Sequence, residues 1–382
     1  MGIESTVVGV VGQPSGVTRV VVAKIGTSSI TDDHGQIDVA AIAKFCAEVA
    51  GLHQAGHQVL VVTSGAIAAG LPAIGLGGDR RPTHAVTLQA VSAIGQSRLM
   101  RVWDDGFDRH GLVAGQVLLA PLDFGIRQQY LHARGTLQRL LELGVIPVIN
   151  ENDAIADDEI RFGDNDRLSA LVAHLVHADL LVLLTDAPGL LTADPRLDGE
   201  ASLIEEVQEI TAELERVAGG AGSARGSGGM ASKVAAAKMA SWSGVRAVIA
   251  AAHRDGVLAD AVAGRPGVGT VVLPRPQRMA ARKLWIAFAV DTAGRIVVDE
   301  GARRALVERN VSLLPAGVVR VEGSFQADQA VEIVGPDRVV FAKGLVRLGA
   351  LALAGVVGRR TADLPESMPH EVVHRDDLVI VP

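Results

Sequence analysis

The sequence predicts an α/β fold, a three-layer sandwich built on a mainly parallel sheet, with a small β-rich domain after it. Three observations carry this reading. Short apolar runs alternate with longer helical patterns over the first two-thirds of the chain. The early runs end, one after another, in polar clusters. Past a Pro- and Gly-rich stretch at residues 264–283, the pattern changes to short alternating strands. A repeated strand–helix–strand pattern makes a parallel sheet covered on both faces. Short alternating runs between turns make a separate β-rich unit.

Taken in order, the apolar runs are residues 20–23, 59–62, 145–149, 180–184 and 245–250. Each is short and rich in Val, Ile, Leu or Ala, as a buried strand is. Between them, residues 39–55, 87–109, 128–143, 167–177 and 232–243 carry helical spacing. Pro147 lies inside the third run and removes a ladder donor, which places that strand at an edge or distorts it there. Residues 269–273 read as the last strand of the first domain. The expected division is a tail at 1–17, a first domain at 18–274, a linker at 275–284 and a second domain at 285–382. Strands are expected in the second domain at 294–299, 317–323, 330–334 and 339–344.

Composition excludes several functions. Thirteen basic and thirteen acidic residues lie from Ala281 onward, so the whole formal charge of −7 belongs to the earlier part. Neither part has the basic excess of a nucleic-acid binder. No apolar run reaches the ~18 residues of a membrane span, and the N-terminus lacks the basic start of a signal peptide. The lone Cys46 cannot form an internal disulfide and reads as a buried helix thiol. These features fit a reducing, cytoplasmic setting. HExxH, CxxC, GxSxG and P-loop motifs are absent, which argues against zinc hydrolysis, Ser-triad chemistry and ordinary P-loop nucleotide binding.

The polar clusters sit at the carboxyl ends of the strands, where open parallel sheets bind ligands. They are Lys24-Ile25-Gly26-Thr27-Ser28, Thr63-Ser64-Gly65-Ala66, Asn150-Glu151-Asn152-Asp153 and Thr185-Asp186. Small residues after Lys24 let backbone N–H groups approach a phosphate, and the lysine adds charge. The plain alternative is a tight turn with a surface lysine. By composition, the loop from Gly222 to Met230 could be a flexible linker. It leads, however, into a helix with Lys233 in its first turn, where a cation opposes the helix dipole. An anionic ligand resolves that conflict. Gly163-Asp164-Asn165-Asp166 adds carboxylates and amides suited to a ligand amine, Mg²⁺ or both, against the plain reading of a solvated loop.

The motifs KIGTSSI, VVTSGAIAAG, VIPVINENDA, GDNDRLSAL, LLTDAPGLLTADPR and GSGGMASK, in this order, resemble those of the glutamate 5-kinase family, whose members have the amino-acid-kinase fold. The segments VDEGARRAL, GSFQADQAVEI and FAKGLVR resemble the PUA domain that many members carry. The resemblance spans residues 18–380 or so. It implies ATP-dependent phosphorylation of the side-chain carboxylate of L-glutamate, the first step of proline biosynthesis, with Mg²⁺. It implies that Lys24 and Lys233 contact the ATP phosphates and stabilise the moving phosphoryl group, with Asp166 holding both lysines in position. Thr185, Asp186, Ser227, Gly228, Gly229, Met230, Ala231, Ser232 and Lys233 are implied to hold the nucleotide. Ser64, Asp153 and Asn165 are implied to bind glutamate, with Arg161 and Asp164 bordering that loop. The family often has Lys where Arg161 stands, which alters hydrogen-bond geometry there. Which residues hold Mg²⁺ does not follow. Feedback inhibition by proline and a homo-oligomer, dimer or tetramer, are implied as well.

The chemistry agrees with the lack of a candidate catalytic histidine. A glutamate side chain, with a pKa of about 4.3, is already ionised at neutral pH and needs no general base. Its difficulty is approaching a highly negative γ-phosphate, which lysines and Mg²⁺ relieve. Three other readings stand beside this one. A sister kinase would act on acetylglutamate, aspartate or carbamate. An RNA binder would stack bases on Trp285, Phe288, Phe325 and Phe341, although those rings also suit a β-domain core. A silent amino-acid sensor would bind without turnover.

Overall fold

The computed structural model describes residues 18–76, 81–155, 164–194, 198–219, 229–288, 290–365 and 368–381. Strand β1 (Val20–Ile25) is buried along nearly its whole length, as an unbroken apolar run between two layers of helices must be. Helix α1 (Val39–Gln54) begins at Asp38, whose carboxylate accepts from the Ala40 and Ala41 amides at 2.9 and 3.0 Å. That satisfies donors the first turn would leave unpaired. There follow β2 (Gln58–Thr63), α2 (Ala66–Gly70), α3 (Ala85–Asp108), β3 (Ala114–Leu119), α4 (Arg127–Glu142), β4 (Ile146–Glu151), α5 (Asn165–Leu175) and β5 (Leu180–Thr185). Then come β6 (Glu206–Val207), α6 (Ala212–Ala218), α7 (Met230–Trp242), β7 (Arg246–Ala251), α8 (Val257–Ala263) and β8 (Thr270–Val272).

The eight strands lie in the order β3-β4-β2-β1-β5-β7-β8-β6, parallel to their neighbours except between β7 and β8. Successive strand residues point to opposite faces. Val21 and Ala23 join a core with Phe45 of α1, Trp103 of α3 and Leu258 of α8. Val22, between them, joins the opposite core with Leu171 of α5 and Val234 of α7. Three layers result. Cys46 is buried in the first of these cores, and burial pushes its thiol up to about 12.

The five apolar runs become β1, β2, β4, β5 and β7. Pro147, however, does not mark an edge: β4 lies between β3 and β2. The Ile146 and Asn152 amides donate to carbonyls on the β3 side. Alternation along the strand therefore turns position 147 toward β2. Pairing with β2 is correspondingly short, confined to Val148 and Ile149. The distortion is present, but inside the sheet.

After the first sheet come α9 (Ala281–Phe288), β9 (Thr292–Val298), α10 (Glu300–Arg309), β10 (Val318–Gly323), β11 (Ala330–Val334), β12 (Val340–Val346), α11 (Ala350–Ala354) and β13 (Val373–Ile380). The second sheet runs β10-β9-β11-β12-β13, with only β9 and β11 parallel. Its core contains Ile296, Leu306, Phe325, Ile333 and Phe341. Helix α9 lies between the sheets: Leu284 and Ile286 are buried in a core shared by α5, α7, Leu345 of β12 and Val379 of β13. The four rings considered for base stacking are engaged in packing. Phe325 and Phe341 are core residues. Phe288 meets Trp242 edge to face at 5.1 Å. Trp285 lies so close over Gly125 that a Cβ there would come within 2.7 Å of its ring. Among the described residues, no helix is long and apolar enough to cross a membrane.

Candidate active site

The carboxyl ends of β1, β2, β4 and β5 carry the polar clusters, and two local features of the chain seat them. Gly65 starts α2 at φ +101°, a left-handed conformation that costs a residue with a Cβ. Helices α2 and α3 then meet backbone to backbone: a Cβ on Gly95 would lie 1.7 Å from the Ala66 carbonyl oxygen. This contact brings the middle of α3 against the strand ends.

The centre is a buried ion cluster. Lys24 Nζ, at the end of β1, lies 2.6 Å from Asp166 Oδ1. Lys233 Nζ, in the first turn of α7, lies 3.2 Å from Asp166 Oδ2. Ser232 Oγ donates to the same carboxylate at 2.5 Å. All three charged side chains are at most 4% exposed. Asp166 sits in the first turn of α5, where a carboxylate suits the helix dipole. Burial pushes the Asp166 carboxyl up, but Lys24 and Lys233 outweigh that and hold it below the usual carboxylate range. Burial lowers the Lys24 ammonium, with Asp166 opposing and Lys233 reinforcing. Two ammonium groups thus share the Asp166 carboxylate, with Asp164 also acting on Lys24.

A second group lies beside this one. Asn165 Nδ2 donates to Ser64 Oγ at 3.1 Å, and Asn165 Oδ1 accepts from the Glu151 amide at 3.1 Å. These contacts orient the Asn165 amide. Asp153 is buried and accepts from Ser92 Oγ of α3 at 2.5 Å. Burial raises the Asp153 carboxyl, and the Ser92 hydroxyl opposes the rise. Asp164 caps α5 by accepting from the Arg167 amide at 3.2 Å, and its other oxygen lies 3.1 Å from Arg167 Nε. At the end of β5, Thr185 Oγ1 donates to Asp186 at 2.9 Å. Gly229 caps α7, with Met230 and Ala231 beginning the helix.

The structure therefore brings Lys24, Asp166, Ser232 and Lys233 into one cluster, and joins Ser64 to Asn165. It places Asp153, Thr185, Asp186 and Gly229 at the ends of neighbouring elements. Arg161, Ser227 and Gly228 lie outside the described residues. Sequence reasoning missed Ser92 and also Gln96, whose side chain donates to the Glu151 carbonyl at 3.5 Å. Both stand mid-helix and belong to no motif. The available signal was a buried-type stripe, Val91, Ser92, Gly95 and Leu99, in which a serine needs a partner.

Among the described residues, no group of three or more His, Cys, Asp or Glu is placed to hold a metal alone. Mg²⁺ is ordinarily held by one or two carboxylates plus substrate phosphates, so this donor set fits an ion shared with a nucleotide. Chemically, the arrangement offers fixed positive charge for a transferring phosphoryl group next to buried polar groups for a small zwitterion.

The amino acid kinase family matches residues 19–251, and the PUA domain matches residues 294–367. A protein named Glutamate 5-kinase from Pelobacter propionicus (strain DSM 2379 / NBRC 103807 / OttBd1) is 46% identical over 365 residues, spanning 94% of this chain and 97% of its own. Proteins of the same name from Trichlorobacter lovleyi and Mycobacterium ulcerans are 44% and 45% identical, each spanning 95% of this chain and 97% of its own. With this coverage in sequence, and with paired lysines on a shared carboxylate at the strand ends, the chain belongs to the amino acid kinase family and, within it, to the glutamate 5-kinases.

Proposed function

We propose that the protein transfers the γ-phosphoryl group of ATP to the side-chain carboxylate of L-glutamate, giving L-glutamyl 5-phosphate for proline synthesis. The observation that carries this is the buried Lys24–Asp166–Lys233 cluster, two ammonium groups held on one carboxylate at the strand ends. A glutamate carboxylate oxygen attacks the γ-phosphorus, the bond to the β-phosphate oxygen breaks, and ADP leaves. No proton moves from the nucleophile, because the carboxylate is already ionised. Lys24 and Lys233 stabilise charge on the phosphoryl oxygens as bonds change, and Asp166 fixes both ammonium groups beforehand. Mg²⁺ arriving with the nucleotide neutralises further phosphate charge.

Buried Asp153 is suited to the glutamate amino group, and Ser64 and Asn165 to a carboxylate or amino group at the same edge. Thr185, Asp186 and the start of α7 from Gly229 serve the nucleotide, with Ser227 and Gly228 completing that loop. Arg161 and Asp164 border the glutamate loop. Proline shares the α-amino acid group of glutamate, which supports feedback inhibition at this loop. The reading includes a homo-oligomer, as the family resemblance implies. The reading includes a cytoplasmic enzyme with a kinase unit at 18–274, a linker at 275–284 and a PUA-like unit at 285–382.

A hydroxylamine trap of the acyl phosphate tests the proposal. With Mg-ATP and the purified protein, glutamate is expected to give hydroxamate, while N-acetylglutamate and aspartate give little. Product from N-acetylglutamate but not glutamate would overturn the substrate assignment. Added proline is expected to lower the yield.

A further inference from the structure

Between the two sheets lies a cavity of about 290 Å³, near the lower end of the roughly 300–1,000 Å³ usual for small-molecule sites. Helices α5 and α7 supply one side, and α9 and β12 the other. Trp242 and Phe288 give it an apolar wall, packed edge to face at 5.1 Å. Three cations line it, Arg167, Lys238 and Lys343, against Glu215 and Asp291. Two of the cations are matched: Lys238 pairs with Glu215 at 2.8 Å and Arg167 with Asp164 at 3.1 Å.

Lys343 is held differently. It reaches from β12 to donate to the Val290 carbonyl oxygen, and among the described residues no carboxylate stands at ion-pair distance from it. Burial draws its ammonium down to about 8, with Asp291 and Glu332 opposing and Arg167 reinforcing. Asp291 and Glu332 act on this half-buried ammonium only from beyond ion-pair distance, so an anion in direct contact offsets its desolvation further. The aromatic wall next to it suits an apolar ring or chain.

We infer that this cleft is a binding site for a small organic anion, its charged head on Lys343 and Lys238 and its apolar part against Trp242 and Phe288. The site is separate from the strand ends where phosphorylation is proposed, yet Arg167 belongs to both regions. It lines the cleft and also pairs with Asp164, the cap of the helix that carries Asn165 and Asp166.

Calorimetric titration of the full chain tests this, with the kinase site saturated by a non-hydrolysable ATP analogue, Mg²⁺ and glutamate. The probes are phenyl phosphate, benzoate and neutral benzamide. Saturable binding is expected for at least one of the two anions, and the stronger of them identifies the preferred head group. Benzamide is expected not to bind. Lys343→Gln is expected to weaken the anion at least tenfold while leaving basal kinase turnover unchanged. If that variant fails to fold, Lys238→Gln provides the same readout. No saturable binding by either anion, equal binding of benzamide, or undiminished affinity in the folded variant would overturn the inference.

Discussion

Asp153 and Ser92 illustrate how a single hydrogen bond can set recognition at the residue scale. The carboxylate is enclosed, and burial alone favours its neutral form. The Ser92 hydroxyl, at 2.5 Å, keeps one oxygen paired and favours the charged form. A hydrogen bond to a charged group contributes about 1.5–3 kcal/mol, so Ser92→Ala is expected to raise the KM for glutamate roughly tenfold or more. Initial-rate kinetics with each substrate varied in turn check it, and the KM for ATP is expected to stay near wild type. Lys24, Lys233, Asp166 and Asp153 were legible in the sequence because they follow apolar strands or open helices, where ligands gather. Ser92 was not, because its partner Asp153 lies 61 residues away, after β4, and no local motif encodes that contact.

At the scale of elements, the α2–α3 contact seats α3, whose Ser92 bonds Asp153 of the proposed substrate loop. Gly95 and Ala66 leave no room for a side chain, and a Cβ would strike backbone rather than a movable side-chain tip. Overpacking of this kind costs about 1–3 kcal/mol and occasionally more. Gly95→Ala is therefore expected to lower the unfolding free energy by at least that amount in urea titration, and to reduce glutamate affinity as α2 shifts. The long apolar strands were readable because they are buried on both faces. β3 was not, since its residues are half exposed at the sheet edge and include Gly115 and Gln116. β6, at two residues, is too short to show a period. Pro147 misled only in part: the missing donor was real, but its consequence fell on the inner neighbour β2.

Across the whole molecule, α5 ties the site to the segment that leads to the second sheet. Its first turn holds Asp166, and its last holds His174, which contacts Arg278 through both its ring and its carbonyl oxygen. Burial, with help from Arg278, lowers the His174 pKa from 6.5 to about 3. The folded state therefore keeps this ring neutral while the unfolded state takes up a proton. Stability is full above the unfolded value and is lost as pH falls from about 6.5 toward the folded value. The slope from one such group is at most about 1.4 kcal/mol per pH unit. His174→Gln is expected to flatten the pH dependence of the urea midpoint between pH 6.5 and 5, relative to wild type. The second, β-rich sheet was legible from the change in strand spacing, but α9 and its packing between the sheets were not, because Leu284 and Ile286 acquire their burial from α5, α7 and the second sheet together. What the enzyme does as a whole depends on its two buried lysines, and the most direct measurement is hydroxamate formation by Lys24→Ala and Lys233→Ala with saturating glutamate and Mg-ATP. Each variant, folded as judged by thermal melting, is expected to lose roughly 10²-fold or more in kcat, as removal of an electrostatic stabiliser does; near-wild-type turnover in either would contradict the role assigned to that lysine.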